Sequence, residues 1–346
     1  MIKIDVEKIN NWDIIKEKHS EWYEQNILPN IRNAYEFIES QKSKSYSMKK
    51  YLELLKKIRE KGKDFIIQKE LFLDYENKEI DKIIKIMKKE NKKSKSTLEM
   101  YFEKLNIPEE YLPNQLFSYE KLQRGNKKWS RHKLLSLIGI EVCPYCQRNY
   151  ISSYEENNSK KTTADLDHFY PKSLYPFLAL SLYNFIPSCQ ICNSRFKGNK
   201  NTRDSVYLYE EGFDELGVKF RTSKEVISEI LGERYSDFYV KIDYENLKDE
   251  EDKKKVKNSI DNLGLDKVYE KSHNQYIQNL LYNIEKYPEN YLENCGEIFE
   301  NDDDKKKQLE EYFKDIVKEP YRKRIENGDP LAKLTKDILE EFDIKI

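Results

Sequence analysis

Apolar residues recur at three- and four-residue spacing from about Asn11 to Ile138, as in Trp12, Ile15, His19 and Tyr23, then Ile31, Tyr35 and Ile38, then Tyr51, Leu54, Leu55 and Ile58. That period matches the 3.6-residue turn of an amphipathic helix, so the pattern predicts a helical N-terminal region of roughly five to seven helices. Punctuation is sparse, limited to Pro29, Gly62, Pro108, Pro113 and Gly125. No fixed-period repeat is visible, which argues against a solenoid. Residues 139–205 change character: cysteine pairs, Pro, Asn and Ser cluster, and the apolar runs shorten to strand length at 149–154, 162–169 and 183–187. Short strands are also predicted at 206–209, 218–222 and 238–244, and helical periodicity returns from Leu247, including 267–287 and 331–342. The expectation is a mainly α (α+β) chain with a helical region at 1–138, a chemical centre at 139–205, and strands followed by helices at 206–346.

Composition narrows this picture. With 346 residues the chain can form one large domain or two to three ordinary ones, each with its own core. Charged residues make up 36%, and Gly and Pro number ten each, which suits a helical protein. The N-terminus has no apolar signal-peptide core, and no stretch approaches the roughly 18 apolar residues of a membrane span, so a cytoplasmic protein without a membrane partner is expected. A net charge of −1 says little by itself, but residues 1–205 carry 38 basic and 28 acidic side chains and the remainder is acidic. The basic half holds the cysteine motif, as expected if nucleic acid approaches that side. Lys-rich runs such as 82–95 read equally well as solvated helix faces.

Cys143-Pro-Tyr-Cys146 and Cys189-Gln-Ile-Cys192 are two CxxC pairs with 42 residues between them. Two residues between thiolates let both sulfurs of a turn meet one ion, and two such turns complete a closed tetrahedral zinc site. A disulfide framework does not suit a chain without a signal sequence, and a redox role would leave the second pair unexplained. A closed four-thiolate site has no open position, so its zinc is structural. Cys295 stands alone on a helical pattern and reads as a small buried hydrophobe.

Between the pairs runs Asp165-Leu-Asp167-His168-Phe169, then Asn184 in the next predicted strand, and just past the second pair come Asn193, Arg195, Lys197 and Lys200. Hydrolysis of a phosphodiester needs a base for water and a cation to neutralise developing charge. Asp167 can bind a hard divalent ion through oxygen, and His168 can take a proton from water. Asn193 offers a carbonyl oxygen to the same ion, and Asn184 can bond the backbone of the Asp-His loop and so orient His168. Asp165 either assists the metal or satisfies a turn. Lys172, Arg195, Lys197 and Lys200 are candidate phosphate contacts that read equally well as solvated surface. His19, His132 and His273 have no carboxylate or cysteine company and read as structural. The segment Trp129-Ser-Arg-His-Lys133 follows Lys127 and Lys128 as a possible basic wall.

On these residues the segment resembles the HNH, or ββα-metal, nuclease family: Asp-His on one strand, Asn on the returning strand, then His or Asn on the following helix, often bracketed by two zinc CxxC pairs. Here the letters are His168, Asn184 and Asn193. The stretch 165–173 is also similar to the matching loop in the HNH domain of RNA-guided CRISPR effector nucleases, which lack the zinc pairs. The resemblance covers about 60 of the 346 residues. It implies a small ββα-metal core with zinc knuckles between helical regions, His168 as general base, Asp167 and Asn193 on one Mg²⁺ or Mn²⁺ ion, and Asn184 positioning the loop. Asn193 stands where a final His is commonest, which favours Mg²⁺ or Mn²⁺ over softer ions. The spacing Asn193-x-x-x-Lys197 departs from the usual Asn-x-x-Lys.

The function expected is DNA endonuclease activity. Large helical flanks around a small HNH core are similar, in architecture alone, to the nuclease subunits of bacterial anti-phage defence of the Septu or retron-linked type, which implies a protein partner such as an ATPase. Two rivals remain: a zinc module that binds nucleic acid or protein without catalysis, and an RNase-type toxin on the same fold, since the chemistry uses the phosphate and does not need the 2′-OH.

Overall fold

The computed structural model describes residues 1–69, 107–125, 128–156, 159–232, 237–285 and 317–345, with 304, 305, 307, 308 and 311. Cys295, the lysine run at 82–95 and the end of the helical pattern at 267–287 lie outside them. Among the described residues the chain is mainly helical with three small antiparallel sheets, in agreement with the expected α+β class. It forms two compact units, one of residues 4–141 with 151–209, the other of 210–346 with 1–3 and 142–150.

In the first unit, α1 (Trp12–Asn26), α2 (Leu28–Ser40) and α3 (Tyr46–Lys61) pack in sequence. α1 buries Trp12, Ile15, His19 and Tyr23, the stripe the periodicity marks. Pro29 sits in the first turn of α2, where its missing N–H costs nothing. The Ser45 hydroxyl accepts from the Met48 N–H at 3.2 Å to start α3, and Gly62 at φ 56° ends it. Further on, α4 (Glu120–Arg124) leads to α5 (Arg131–Ile138), which lies against both hairpins: β1 (Ser153–Glu156) with β2 (Ser159–Thr162), and β3 (Ala164–His168) with β4 (Phe185–Cys189). β3 and β4 pair Asp165 with Ser188, Asp167 with Ile186 and His168 with Phe185, and every residue of β4 is buried.

The strand expected at 206–209 is absent: these residues form an irregular turn. Their apolar run is buried through side chains instead of a ladder. The Tyr207 hydroxyl donates to the Tyr183 carbonyl and the Tyr209 hydroxyl to the Phe185 carbonyl, each at 2.7 Å, which clamps the run onto the start of β4.

The second unit has its own core, in which Phe220, Phe238, Val240, Ile277, Leu281 and Ile338 meet. The hairpin of β5 (Lys219–Thr222) and β6 (Val240–Asp243) packs there with α7 (Asn274–Glu285) and α8 (Ala332–Glu341), while α6 (Glu250–Leu263) is capped by Asp249 and ended by Gly264 at φ 58°. Among the described residues, no helix is long and apolar enough to cross a membrane.

His19 ties α1 to the rest of its unit. Its Nε2 lies 2.8 Å from the Leu180 carbonyl and its Nδ1 accepts from the Trp129 indole N–H at 3.0 Å, so the ring is neutral with its proton on Nε2. Burial, partly opposed by the Leu180 bond, brings its pKa down to about 4. Between its ordinary value near 6.5 and about 4 the unfolded chain binds a proton that the folded chain does not, so stability present above pH 6.5 is lost as pH falls through that window. The expected loss is on the order of 3 kcal/mol by pH 4 from this group. Urea titrations across this range are expected to show a shallower acid slope for His19→Gln than for the parent, and equal slopes would contradict the assignment.

Candidate functional site

The β3–β4 hairpin and the wide turn after it build one cleft of about 180 Å³. Asp165, Asp167 and His168 come from β3, Lys172 from the loop beyond, and Asn193 and Lys197 from the turn at Ile191–Lys197. Tyr119 and Arg131 reach the same cleft from the helical region. Arg195 and Lys200, also considered as phosphate contacts, are exposed and do not line it.

His168 is nearly buried, at 8% exposure, with its ring edge-on to Tyr119 at 4.7 Å and to Phe185 at 5.2 Å. Its Nε2 lies 3.0 Å from the Ala179 carbonyl, an acceptor only, so Nε2 carries the proton and Nδ1 the lone pair. Burial pushes the pKa down to about 3, against the Ala179 bond that raises it, with Lys172 and Lys197 adding to the fall. The imidazole is therefore neutral, the state a proton acceptor requires.

Asn184 is in a tight turn just before β4 and not in the strand expected for it, because Tyr183 and Asn184 complete a single helical turn that starts at Leu182. It is 3% exposed, and it does not line the cleft. Its Oδ1 accepts from the Tyr170 N–H at 2.7 Å, while its Nδ2 donates to the Tyr170 carbonyl at 3.1 Å and the Leu178 carbonyl at 2.9 Å. These bonds close the loop that brings Ala179 to His168. Thr202, which sequence reasoning did not single out, adds a hydroxyl bond to the Phe169 carbonyl.

The turn carrying Asn193 and Lys197 is a π-helix, in which the Gly198 N–H reaches five residues back to the Asn193 carbonyl at 2.8 Å. Both residues line the cleft, so the unusual spacing is accommodated by a widened turn. Lys197, 2% exposed, donates to Asp167 Oδ1 at 3.0 Å and to the His168 carbonyl at 2.7 Å. The Asn193 Nδ2 donates to Asp165 Oδ2 at 2.9 Å, which brings Asp165 into the group. Two carboxylates and a carboxamide around one cleft form an oxygen donor set that fits a hard divalent cation.

Cys143, Cys146, Cys189 and Cys192 are all buried, and their sulfurs lie within 4.8 Å of one another, so the four can hold one zinc ion. The first turn is shaped by the Gln147 N–H bonding the Cys143 carbonyl at 2.8 Å, with Gln147 at φ 52°. Each turn also points a donor at sulfur: the Asn149 amide reaches Cys146 Sγ at 3.8 Å and the Cys192 N–H reaches Cys189 Sγ at 3.5 Å, contacts that favour thiolate. The other histidines have structural partners: His132 Nε2 meets the Tyr154 and Lys161 carbonyls, and His273 accepts from Arg148 at 2.8 Å.

No family model matches the chain, and no solved structure matches it significantly. A Septu protein, PtuB of Bacillus thuringiensis, is 33% identical to it over 89 residues, which is 25% of this chain and 30% of that protein. The match links part of the chain to a Septu protein, and it spans less than a third of that relative's length.

Three outcomes follow from this geometry. Asn184→Ala removes three buried hydrogen bonds to the Tyr170 and Leu178 backbone and is expected to lower unfolding free energy by about 2 to 4 kcal/mol in urea titration. Lys197→Met removes the ammonium bonded to the buried Asp167 carboxylate and is expected to cost about 3 kcal/mol or more, with Lys197→Arg milder. Elemental analysis is expected to find one zinc per chain, lost when Cys189 and Cys192 are both changed to serine.

Proposed function

We propose that this protein is a metal-dependent endonuclease of the HNH type that hydrolyses DNA phosphodiester bonds, in a bacterial anti-phage defence system. The observation that carries the reading is the neutral His168, whose tautomer is set by Ala179, beside the two carboxylates and Asn193 in one cleft with cationic walls. The similarity to a Septu protein supports the defence context, in which we place a protein partner, an ATPase in our reading.

In this reading the phosphate enters the cleft with its scissile bond facing His168. The imidazole Nδ1 takes a proton from a water, the water oxygen bonds to phosphorus, and the bond from phosphorus to the leaving oxygen breaks. Asp167 and Asn193, with Asp165 close by, would hold a Mg²⁺ or Mn²⁺ ion, which supplies charge neutralisation at the phosphate oxygens when bound. Asn184 acts on His168 through the loop it closes, and Lys197 holds the carboxylate of Asp167 and the backbone of His168 in register. The four-cysteine zinc has no open position and takes no part in the chemistry.

Plasmid DNA, single-stranded DNA and RNA are the substrates to offer, each with Mg²⁺ or Mn²⁺ and with EDTA. Metal-dependent cutting of DNA is expected, reduced by about two to four orders of magnitude in His168→Ala. Cutting of RNA alone would move the assignment to the RNase reading. Binding of nucleic acid by folded, zinc-loaded protein that cuts nothing, even with a partner captured from its host, would favour the non-catalytic module.

A further inference from the structure

The cleft has a wall that the HNH pattern does not supply. Arg131 is the first residue of α5, whose start is set by Ser130, with its hydroxyl accepting from the Lys133 N–H at 3.4 Å. The guanidinium therefore leaves the helix at its first turn, beside β3. Its ion partner there is Asp165 Oδ1 at 4.0 Å, too long for a hydrogen bond, and the other Asp165 oxygen is engaged by Asn193. The Arg131 side chain is 24% exposed, enough to reach a ligand in the cleft.

Tyr119 stands next to it. The residue is 9% exposed, its ring is held edge-on against His168, and the Lys172 ammonium lies 5.2 Å over that ring. Its hydroxyl is buried and finds no acceptor for its proton. The Arg131 guanidinium, which can only donate, lies within hydrogen-bonding reach of the hydroxyl oxygen, and Asp165 and Asp167 lie within electrostatic reach. A buried hydroxyl whose proton has no acceptor is destabilising, so an isolated fold gains nothing by keeping it.

Charge points the same way. Of the three cations on the cleft wall, Lys197 is bonded to Asp167, Arg131 lies 4.0 Å from Asp165, and Lys172 lies over the Tyr119 ring. An anion entering here meets a net positive wall, a planar guanidinium fork and a hydroxyl that can donate.

We infer that Arg131 and the Tyr119 hydroxyl form a phosphate-gripping subsite that binds the non-bridging oxygens of a nucleic-acid phosphodiester and turns the scissile bond toward His168. The inference rests on the nuclease reading above. The fork gives Arg131 two parallel donors for one phosphate, which a lysine cannot reproduce. Tyr119 serves twice: its ring positions the imidazole, and its hydroxyl gains an acceptor when the phosphate arrives.

Arg131→Gln, Arg131→Lys and Tyr119→Phe in the full-length protein provide the test. Binding of a short fluorescein-labelled single-stranded DNA is measured by anisotropy against salt in a His168→Ala background, where turnover does not interfere. Cleavage of the same DNA is measured with His168 intact. Arg131→Gln is expected to weaken binding about tenfold, to lower the salt slope by about one phosphate contact, and to slow cleavage about 100-fold. Arg131→Lys is expected to restore the salt slope but not the rate. Tyr119→Phe is expected to slow cleavage about tenfold with an unchanged or higher melting temperature, whereas a purely structural tyrosine would leave the rate alone. Parent-like binding and cutting by Arg131→Gln would overturn the subsite and leave the nuclease reading standing. A parent protein that neither binds nor cuts would overturn both.

Discussion

The buried pair of Lys197 and Asp167 is the constraint around which the cleft is organised. Neither side chain reaches solvent, at 2% and 3% exposure, and taking two charges out of water costs several kcal/mol each before their attraction at 3.0 Å repays it. Apolar residues of similar size would hold a hairpin at least as well. The pair makes better sense as a device that fixes a carboxylate at the back of a polar cleft. Because the same ammonium also bonds the His168 carbonyl, it couples the turn at Ile191–Lys197 to the end of β3. The metal-binding and proton-accepting candidates are then spaced by one side chain.

A second layer of the design sets the histidine. The His168 ring is neutral because it is buried, and its tautomer is set because the Ala179 carbonyl can only accept. That carbonyl lies in a loop closed by the three bonds of Asn184. Aromatic packing continues the support outward: Phe177 in the same loop meets Phe117 at 5.6 Å and Tyr51 at 6.2 Å. The helical region is thus packed directly behind the cleft within its own unit, and it contributes Arg131 and Tyr119 to the wall.

Much of this was legible in the sequence because the chemistry-bearing residues cluster within a short stretch. Asp167, His168 and Asn193 stand at spacings that a hairpin and a following turn bring to one cleft, and the two cysteine pairs announce a tetrahedral site by their spacing alone. The amphipathic stripe of α1 was equally plain. What stayed hidden depends on long-range packing. Tyr119 looks like an ordinary member of a helical pattern and Arg131 stood out only as part of the basic segment at 129–133, and the docking of α5 and the segment before α4 is what turns both toward β3. The apolar run at 206–209 has strand composition, but its tyrosine hydroxyls find backbone carbonyls and no ladder forms. The partner of Asn193 was also out of reach, because a widened turn rotates its amide toward Asp165 and leaves Asp167 to Lys197.

The central claim is that this cleft directs water at phosphorus. The most direct measurement is mass spectrometry of the ends produced when the protein cuts a defined DNA in water enriched in heavy oxygen. One heavy oxygen atom on the single terminal phosphate left at each cut, with ordinary oxygen in the hydroxyl of the other new end, is the expected result. Recovery of intact DNA, or of products whose terminal phosphates carry only ordinary oxygen, would contradict the account.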